Sequence, residues 1–191
     1  VTAITGAKTL RADARRNRER VLSAARDCFA NDGVEAQMDE IAACAGVGVG
    51  TVYRHFATKE ALIEALAADY FAGQSDLARS ALEVEDPWEA FSGYIRSGAE
   101  LLAHNKALAQ IAGDRPEVMR NAAAAADAQF GFFGTVQALI ERAKEAGALR
   151  EDFQFEDIPA IMCSLGALQI TPGAYASWRR VLEMVLDGVK A

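Results

Sequence analysis

Apolar residues along this chain recur at spacings of three and four, and no stretch alternates with the two-residue period of a strand. Val21, Leu22, Ala25, Cys28 and Phe29 form the first stripe. It predicts a helix over 14–31, ended by Asn31-Asp32-Gly33, with residues 1–10 disordered ahead of it. Ile41, Ala42 and Ala45 give a short second helix one apolar face, and Gly46 stands where that helix must stop with a positive φ. Val47 turns back toward the core, and a third helix of about two turns exposes Thr51, Tyr53, Arg54 and His55. Two short helices about a glycine turn are the layout of a helix-turn-helix, whose second helix enters the DNA major groove.

The pattern then lengthens. Thr58 is a candidate N-cap for a fourth helix running to about residue 83, with Leu62, Ile63, Leu66, Tyr70 and Phe71 on a broad apolar face. Asp86-Pro87 reads as a cap and first helical residue of a fifth helix carrying Trp88, Phe91, Tyr94, Ile95, Leu101 and Leu102, broken at His104-Asn105. A short sixth helix covers 107–112, and residues 113–116 read as a loop. A seventh, over 117–145, carries apolar residues on so much of its circumference that it is expected at the centre of a bundle, closed by Gly147. An eighth covers 156–170, Thr171-Pro172-Gly173 turns, and a ninth covers 175–189. The fold expected is all-α: an N-terminal three-helix module over 11–60 and a helical-bundle body over 61–191, about nine helices in total.

Charge sharpens this division. The net charge is −7, which alone argues against a nucleic-acid partner. Residues 1–26, however, hold seven basic and two acidic side chains, whereas residues 61–191 hold 11 basic and 19 acidic. The basic arm adjoins the helix-turn-helix, and local sign near the phosphates matters more than the total. No run of 18 apolar residues suggests a membrane span, and no apolar segment follows the N-terminal basic residues as in a signal peptide. Cys28, Cys44 and Cys163 are odd in number, widely spaced and set in apolar helical contexts, which favours buried thiols in a reducing cytoplasm. No C-x-x-C motif or flanking basic cluster marks a redox sensor, although that role stays open.

The segments IAACAGV, GVGVGTVYRHF and TKEALI, with FANDG upstream, resemble the DNA-binding domain of TetR-type bacterial transcriptional regulators over about residues 11–70. The GALREDF turn and the spacing of the body look like the SbtR-like branch. The resemblance implies a homodimer, one helix-turn-helix per protomer and a ligand pocket in the body that controls DNA binding. It implies a repressor released from a palindromic operator by a small molecule, acting in the cytoplasm without cofactor or metal. Two positions depart from the family pattern. Gly48 and Val49 open the recognition helix where a polar cap is usual, and Gln37-Met38 precedes the second helix where a hydroxyl cap is usual.

The candidate DNA contacts are Gln37, Gly48, Val49, Gly50, Thr51, Tyr53, Arg54, His55 and Lys59. Gly48 and Gly50 each cost a helix about 1 kcal/mol against alanine. That cost suggests close backbone approach, either to DNA or within the three-helix module. Thr51 suits a phosphate or a thymine methyl, Arg54 a guanine edge or a local carboxylate, and Val49 a thymine methyl. Tyr53 and His55 resemble the family's phosphate-contacting aromatics, and Lys59 opens the fourth helix, where ammonium and backbone N–H groups can converge on one phosphate.

In the body, Trp88, Phe91, Tyr94, His104, Phe130 and Phe133 are the candidate ligand-binding residues. They read either as an ordinary aromatic core or as an apolar pocket with a few polar anchors, in which Gly131 and Gly134 leave space. The last two helices carry apolar stripes beyond the needs of one core. The expected dimer interface therefore uses Ile161, Leu165, Leu168, Leu182, Val185 and Val189, with Ser164, Gly166 and Ala167 permitting close approach. The competing classes are a helical-bundle enzyme and a DNA-binding regulator controlled by a protein partner. For the enzyme, Glu100 and His104 form one i,i+4 pair, but no repeated Glu-x-x-His, G-x-S-x-G or phosphate loop accompanies it.

Overall fold

A computed structural model describes residues 2–103, 105–170 and 177–191. Among them run ten α-helices: α1 (Thr2–Asp32), α2 (Met38–Ala45), α3 (Val49–His55), α4 (Lys59–Leu82), α5 (Pro87–Ala103), α6 (Lys106–Asp114), α7 (Pro116–Phe130), α8 (Phe132–Glu145), α9 (Asp157–Ile170) and α10 (Trp178–Val189). One 3-10 turn, Gly33–Glu35, joins α1 to α2. The chain divides into two compact units, Val1–Leu66 and Ala67–Ala191. Among the described residues no helix is long and apolar enough to cross a membrane.

The first unit is organised by the expected stripes. Val21, Ala25 and Phe29 of α1 are fully buried, as are Ile41 of α2, Val52 of α3 and Leu62 and Ile63 of α4. Burial of the Val, Leu, Ile and Phe side chains among these contributes about 1.5–3 kcal/mol each, and that, rather than propensity, holds helices as short as α2 and α3. Helix α1 begins at Thr2, so the disorder expected over 1–10 is corrected. The segment has no proline to break the helix, which continues upstream of the packed stripe.

The second unit departs from the sequence reading at one glycine. The single helix expected over 117–145 is two helices, because Gly131 adopts φ +65° and ends α7. Its amide donates to Asp127 O at 2.8 Å, and Phe133 N donates to Asp127 Oδ1 at 2.9 Å, so the break is hydrogen-bonded on both sides. The phase of the apolar stripe resets there. Phe132, Val136, Leu139 and Ile140 of α8 are buried, whereas α7 buries only Ala122 and Ala126 among the residues described. The central position expected for one long helix therefore belongs to α8 alone. Gly131 and Gly134 are themselves exposed, so they open no internal space.

Other boundaries shift modestly. Only Arg115 separates α6 from α7, in place of the loop over 113–116, and Pro116 takes the first helical position. Asn105 caps α6 by accepting from Leu108 N, while His104 lies outside the described residues. The turn at Thr171-Pro172-Gly173 and the start of the ninth predicted helix also lie outside them. After Gly147 (φ +64°) the chain pairs with its own C-terminus, Arg150 N donating to Val189 O and Ala191 N to Ala148 O. Arg142 closes the α4–α5 connection by donating to the carbonyls of Leu82, Val84 and Glu85.

The α9 and α10 stripes also need correction. Leu165 and Leu182 are buried within the chain itself, and a Cβ on Gly166 would meet Ala109 Cβ at 3.4 Å and Leu102 Cδ2 at 3.5 Å. These three serve packing within the chain, which the helical period alone does not separate from an interface. Ile161, Leu168, Val185 and Val189 are half-buried, Ser164 and Ala167 are exposed, and Met184 is 64 % exposed. Two bidentate pairs tie α10 to α5, Arg96 with Glu183 at 2.9 Å and Arg179 with Glu100 at 2.8 Å. Its hydrogen bond to Arg96 holds the Glu183 carboxyl below the usual carboxylate range.

Candidate nucleic-acid interface

The turn between α2 and α3 is built locally. Gln37 caps α2 without a hydroxyl, because Glu40 reaches back to accept from Gln37 N at 2.7 Å. This carboxylate supplies the N3 half of a capping box and satisfies the Gln37 amide. At the other end Gly46 sits at φ +62°, ψ +38°, Val47 N donates to Ala42 O and Gly46 N to Ala43 O, a Schellman ending.

One residue outside the motif completes this end. Arg20 of α1 donates to Ala45 O at 2.7 Å and lies within 3.4 Å of Gly46 O, placing a cation on the carbonyl terminus of α2. Charge alone places Arg20 with the basic arm. Its contact lies 25 residues away, so no local spacing marks it. Other members of the arm also have partners. Arg18 lies 5.3 Å from the Phe56 ring centroid, Arg15 pairs with Glu19 at 3.6 Å, and Arg16 pairs with Asp13.

Helix α3 is pinned by Val52 and Phe56, both buried, which leaves its opposite side outward. Val49 is 44 % exposed and Tyr53 51 %, large apolar surface for a seven-residue helix to leave in water. Gly48, Gly50 and Arg54 are exposed with them, and Thr51 and His55 are half-buried. A Cβ built on Gly48 or Gly50 would meet no heavy atom within 4 Å, and neither glycine has a positive φ. Tight packing inside the module therefore does not explain these glycines.

Lys59, half-buried, is the first residue of α4, and Thr58 caps that helix by accepting from Ala61 N at 3.1 Å. Gln37 is exposed at the start of α2. Every candidate contact therefore lies on α3 or at the N-terminal ends of α2 and α4. Such ends present unpaired backbone N–H groups and partial positive charge, suited to phosphate.

The described candidate ligand residues differ in burial and in partners. Phe91 is buried against Phe153 with ring centroids 5.2 Å apart, and Trp88 stacks beside it under Lys190. Phe133 is exposed and meets Phe155 and Phe132, while Phe130 lies 5.7 Å from the Arg79 guanidinium. Tyr94 is buried, and burial pushes its hydroxyl and that of Tyr70 well above the ordinary phenol value. Gln110 Oε1 on α6 and both amide atoms of Gln169 on α9 are buried without a hydrogen-bond partner among the described residues. Sequence reasoning missed both glutamines, since a lone Gln in an apolar stripe carries no local signal.

Sequence comparison agrees with this layout. The model for bacterial regulatory proteins of the tetR family matches residues 21–66, and the model for the SbtR-like transcriptional regulator C-terminal domain matches residues 86–191. The TetR transcription regulatory protein from Mycobacterium vanbaalenii superimposes with a TM-score of 0.66 at 38% identity, covering 95% of this chain and 99% of that one. A TetR transcriptional regulator from Streptomyces coelicolor gives 0.61 at 29% identity, covering 91% and 98%. An HTH-type transcriptional regulator of Staphylococcus aureus (strain USA300) is 41% identical over 69 residues, 36% of this chain and 34% of that protein, so the match spans about a third of that curated relative. The chain belongs to the TetR family of bacterial transcriptional regulators, a family of DNA-binding proteins rather than of enzymes.

Proposed function

We propose that this protein is a repressor that binds a short palindromic operator as a homodimer and leaves it when a small molecule binds the body. The observation that carries the reading is the outward face of α3, where Val49, Tyr53 and Arg54 stand exposed with Gly50 and the N-cap Gly48, glycines beside which the chain leaves open space. In this reading residues 11–60 bind DNA and residues 61–191 bind ligand and dimerise. Val49 and Thr51 meet thymine methyls or phosphate, Arg54 reads a base edge, and Gln37, Tyr53, His55 and Lys59 hold the backbone. Gly48 and Gly50 let the α3 backbone come close to the duplex.

One such helix reads too few bases alone, which supports a dimer with α3 helices about 34–36 Å apart or somewhat more. The interface proposed uses the half-buried Ile161, Leu168, Val185 and Val189 with the exposed Met184. The ligand proposed is largely apolar, with a hydrogen-bonding group matched to the buried amides of Gln110 and Gln169. Trp88, Phe91, Tyr94, His104, Phe130 and Phe133 remain its candidate surroundings. A DNA-bound regulator acts in the cytoplasm, and the absence of a membrane-length helix among the described residues is compatible with that.

Selection of binding sites from random duplex DNA tests the reading. An enriched inverted repeat is expected, and recovery of no common site would overturn it. Stabilisation of the protein by small apolar compounds carrying an amide partner tests the ligand.

A further inference from the structure

Two thiols meet across the first two helices. Cys28 of α1 is buried and Cys44 of α2 is exposed, and their Sγ atoms lie 3.0 Å apart. The expectation that all three cysteines are buried is thereby corrected, since Cys44 and Cys163 are both exposed. We propose that Cys28 and Cys44 form a modification site for peroxides, in which oxidation closes a disulfide between α1 and α2.

Three observations support it. A disulfide needs an S–S separation of about 2.05 Å, so the sulfurs must approach by only about 1 Å. Arg20 of α1 donates to the carbonyl of Ala45, next to Cys44, which holds this end of α2 against α1. Among the described residues no group of three or more His, Cys, Asp or Glu side chains gathers to hold a metal ion, so the pair is not part of a closed tetrahedral centre.

The unequal exposure assigns the roles. The exposed Cys44 thiolate attacks one peroxide oxygen; an S–O bond forms, the O–O bond breaks, and the other oxygen leaves as water or alcohol after taking a proton. Cys28 sulfur then attacks the Cys44 sulfenic acid; the S–S bond forms, the S–O bond breaks, and the hydroxyl leaves as water with the Cys28 proton. Two thiols are oxidised by two electrons in total, and one peroxide is reduced. A small thiol reverses the change by exchange.

The staple falls beside the helix that presents α3. A disulfide here clamps α2 to α1 two residues before the Gly46 turn from which α3 starts, and a recognition helix held away from its productive geometry loses function. Operator affinity is therefore expected to fall about tenfold or more on oxidation, a consequence that rests on the DNA-binding reading above.

The test uses the full chain carrying Cys163→Ser, treated with hydrogen peroxide. The intact mass should fall by about 2 Da, and a non-reducing digest should yield one peptide pair joined through Cys28 and Cys44. Cys44→Ser and Cys28→Ser should abolish both signals and keep operator affinity under peroxide; Cys28→Ala replaces the latter if serine misfolds there. A mass gain of about 32 Da on Cys44 without the joined pair, or dimers linked through Cys44, would overturn the site. A joined pair with unchanged operator affinity would overturn the regulatory consequence. Reduced protein that binds no operator would instead contradict the DNA-binding reading, while mass still decides the disulfide.

Discussion

Gly50→Ala separates what the fold needs from what the function needs. Gly50 is the second residue of α3, its φ is not positive, and an added Cβ meets no heavy atom within 4 Å. No steric or conformational penalty opposes alanine there. Glycine in a helix costs about 0.8–1.0 kcal/mol against alanine, and compatible Gly→Ala changes stabilise by about 0.4–1 kcal/mol. These describe one effect, so a gain of about 0.5–1 kcal/mol is expected, read as a higher midpoint in urea denaturation. If the α3 backbone lies against DNA, the same methyl blocks the approach. A tenfold loss per protomer corresponds to about 1.4 kcal/mol, and two protomers make the loss about a hundredfold. Gly134→Ala is the matched control, a helical glycine in α8 with equally open space. It should stabilise to a similar degree and leave operator affinity unchanged. Loss of stability in Gly50→Ala, or operator affinity equal to wild type, would refute the reasoning.

Lys59→Ala should weaken operator binding and flatten its salt dependence by about one counterion per protomer, measured by fluorescence anisotropy across a salt series. Arg20→Met should destabilise the first unit by about 1–2 kcal/mol in urea by removing the cation from the α2 carbonyls, although charge alone places Arg20 with the DNA-binding arm. Val185→Glu and Met184→Glu should give folded monomers by sedimentation, whereas Leu165→Glu should lose the fold, because Leu165 is buried within the chain. The Glu183 carboxyl is depressed in the folded state, so its contribution is present above the usual carboxylate range and is lost as pH falls through the folded value. The pair with Arg96 is exposed and worth less than about 1 kcal/mol, and Glu183→Gln should flatten the acid limb of the stability profile by that amount.

Local rules carried the sequence reading as far as local physics reaches. The Gly46 turn, the short α2 and α3 and the capped start of α4 were legible because each depends on residues within a few positions of one another. Gly131 was not. A glycine inside an apolar helical pattern is either tolerated at about 1 kcal/mol or used as a left-handed stop, and no nearby proline or polar cluster decided between them. Missing that break joined two stripes with different phases and made α7 look central. Contacts between distant residues were equally hidden. The cap from Arg20 to Ala45, the meeting of Cys28 with Cys44, and the burial of Leu165 and Gly166 against their own chain follow from how helices pack.

The central claim is that α3 lies in the major groove of operator DNA. Methylation interference on a selected duplex tests it most directly, because guanine N7 faces that groove. The account predicts that N7 methylation blocks binding within two half-sites about one helical turn or more apart, and that Arg54→Ala relieves the block at one guanine in each. Binding that tolerates N7 methylation throughout the half-sites would contradict it.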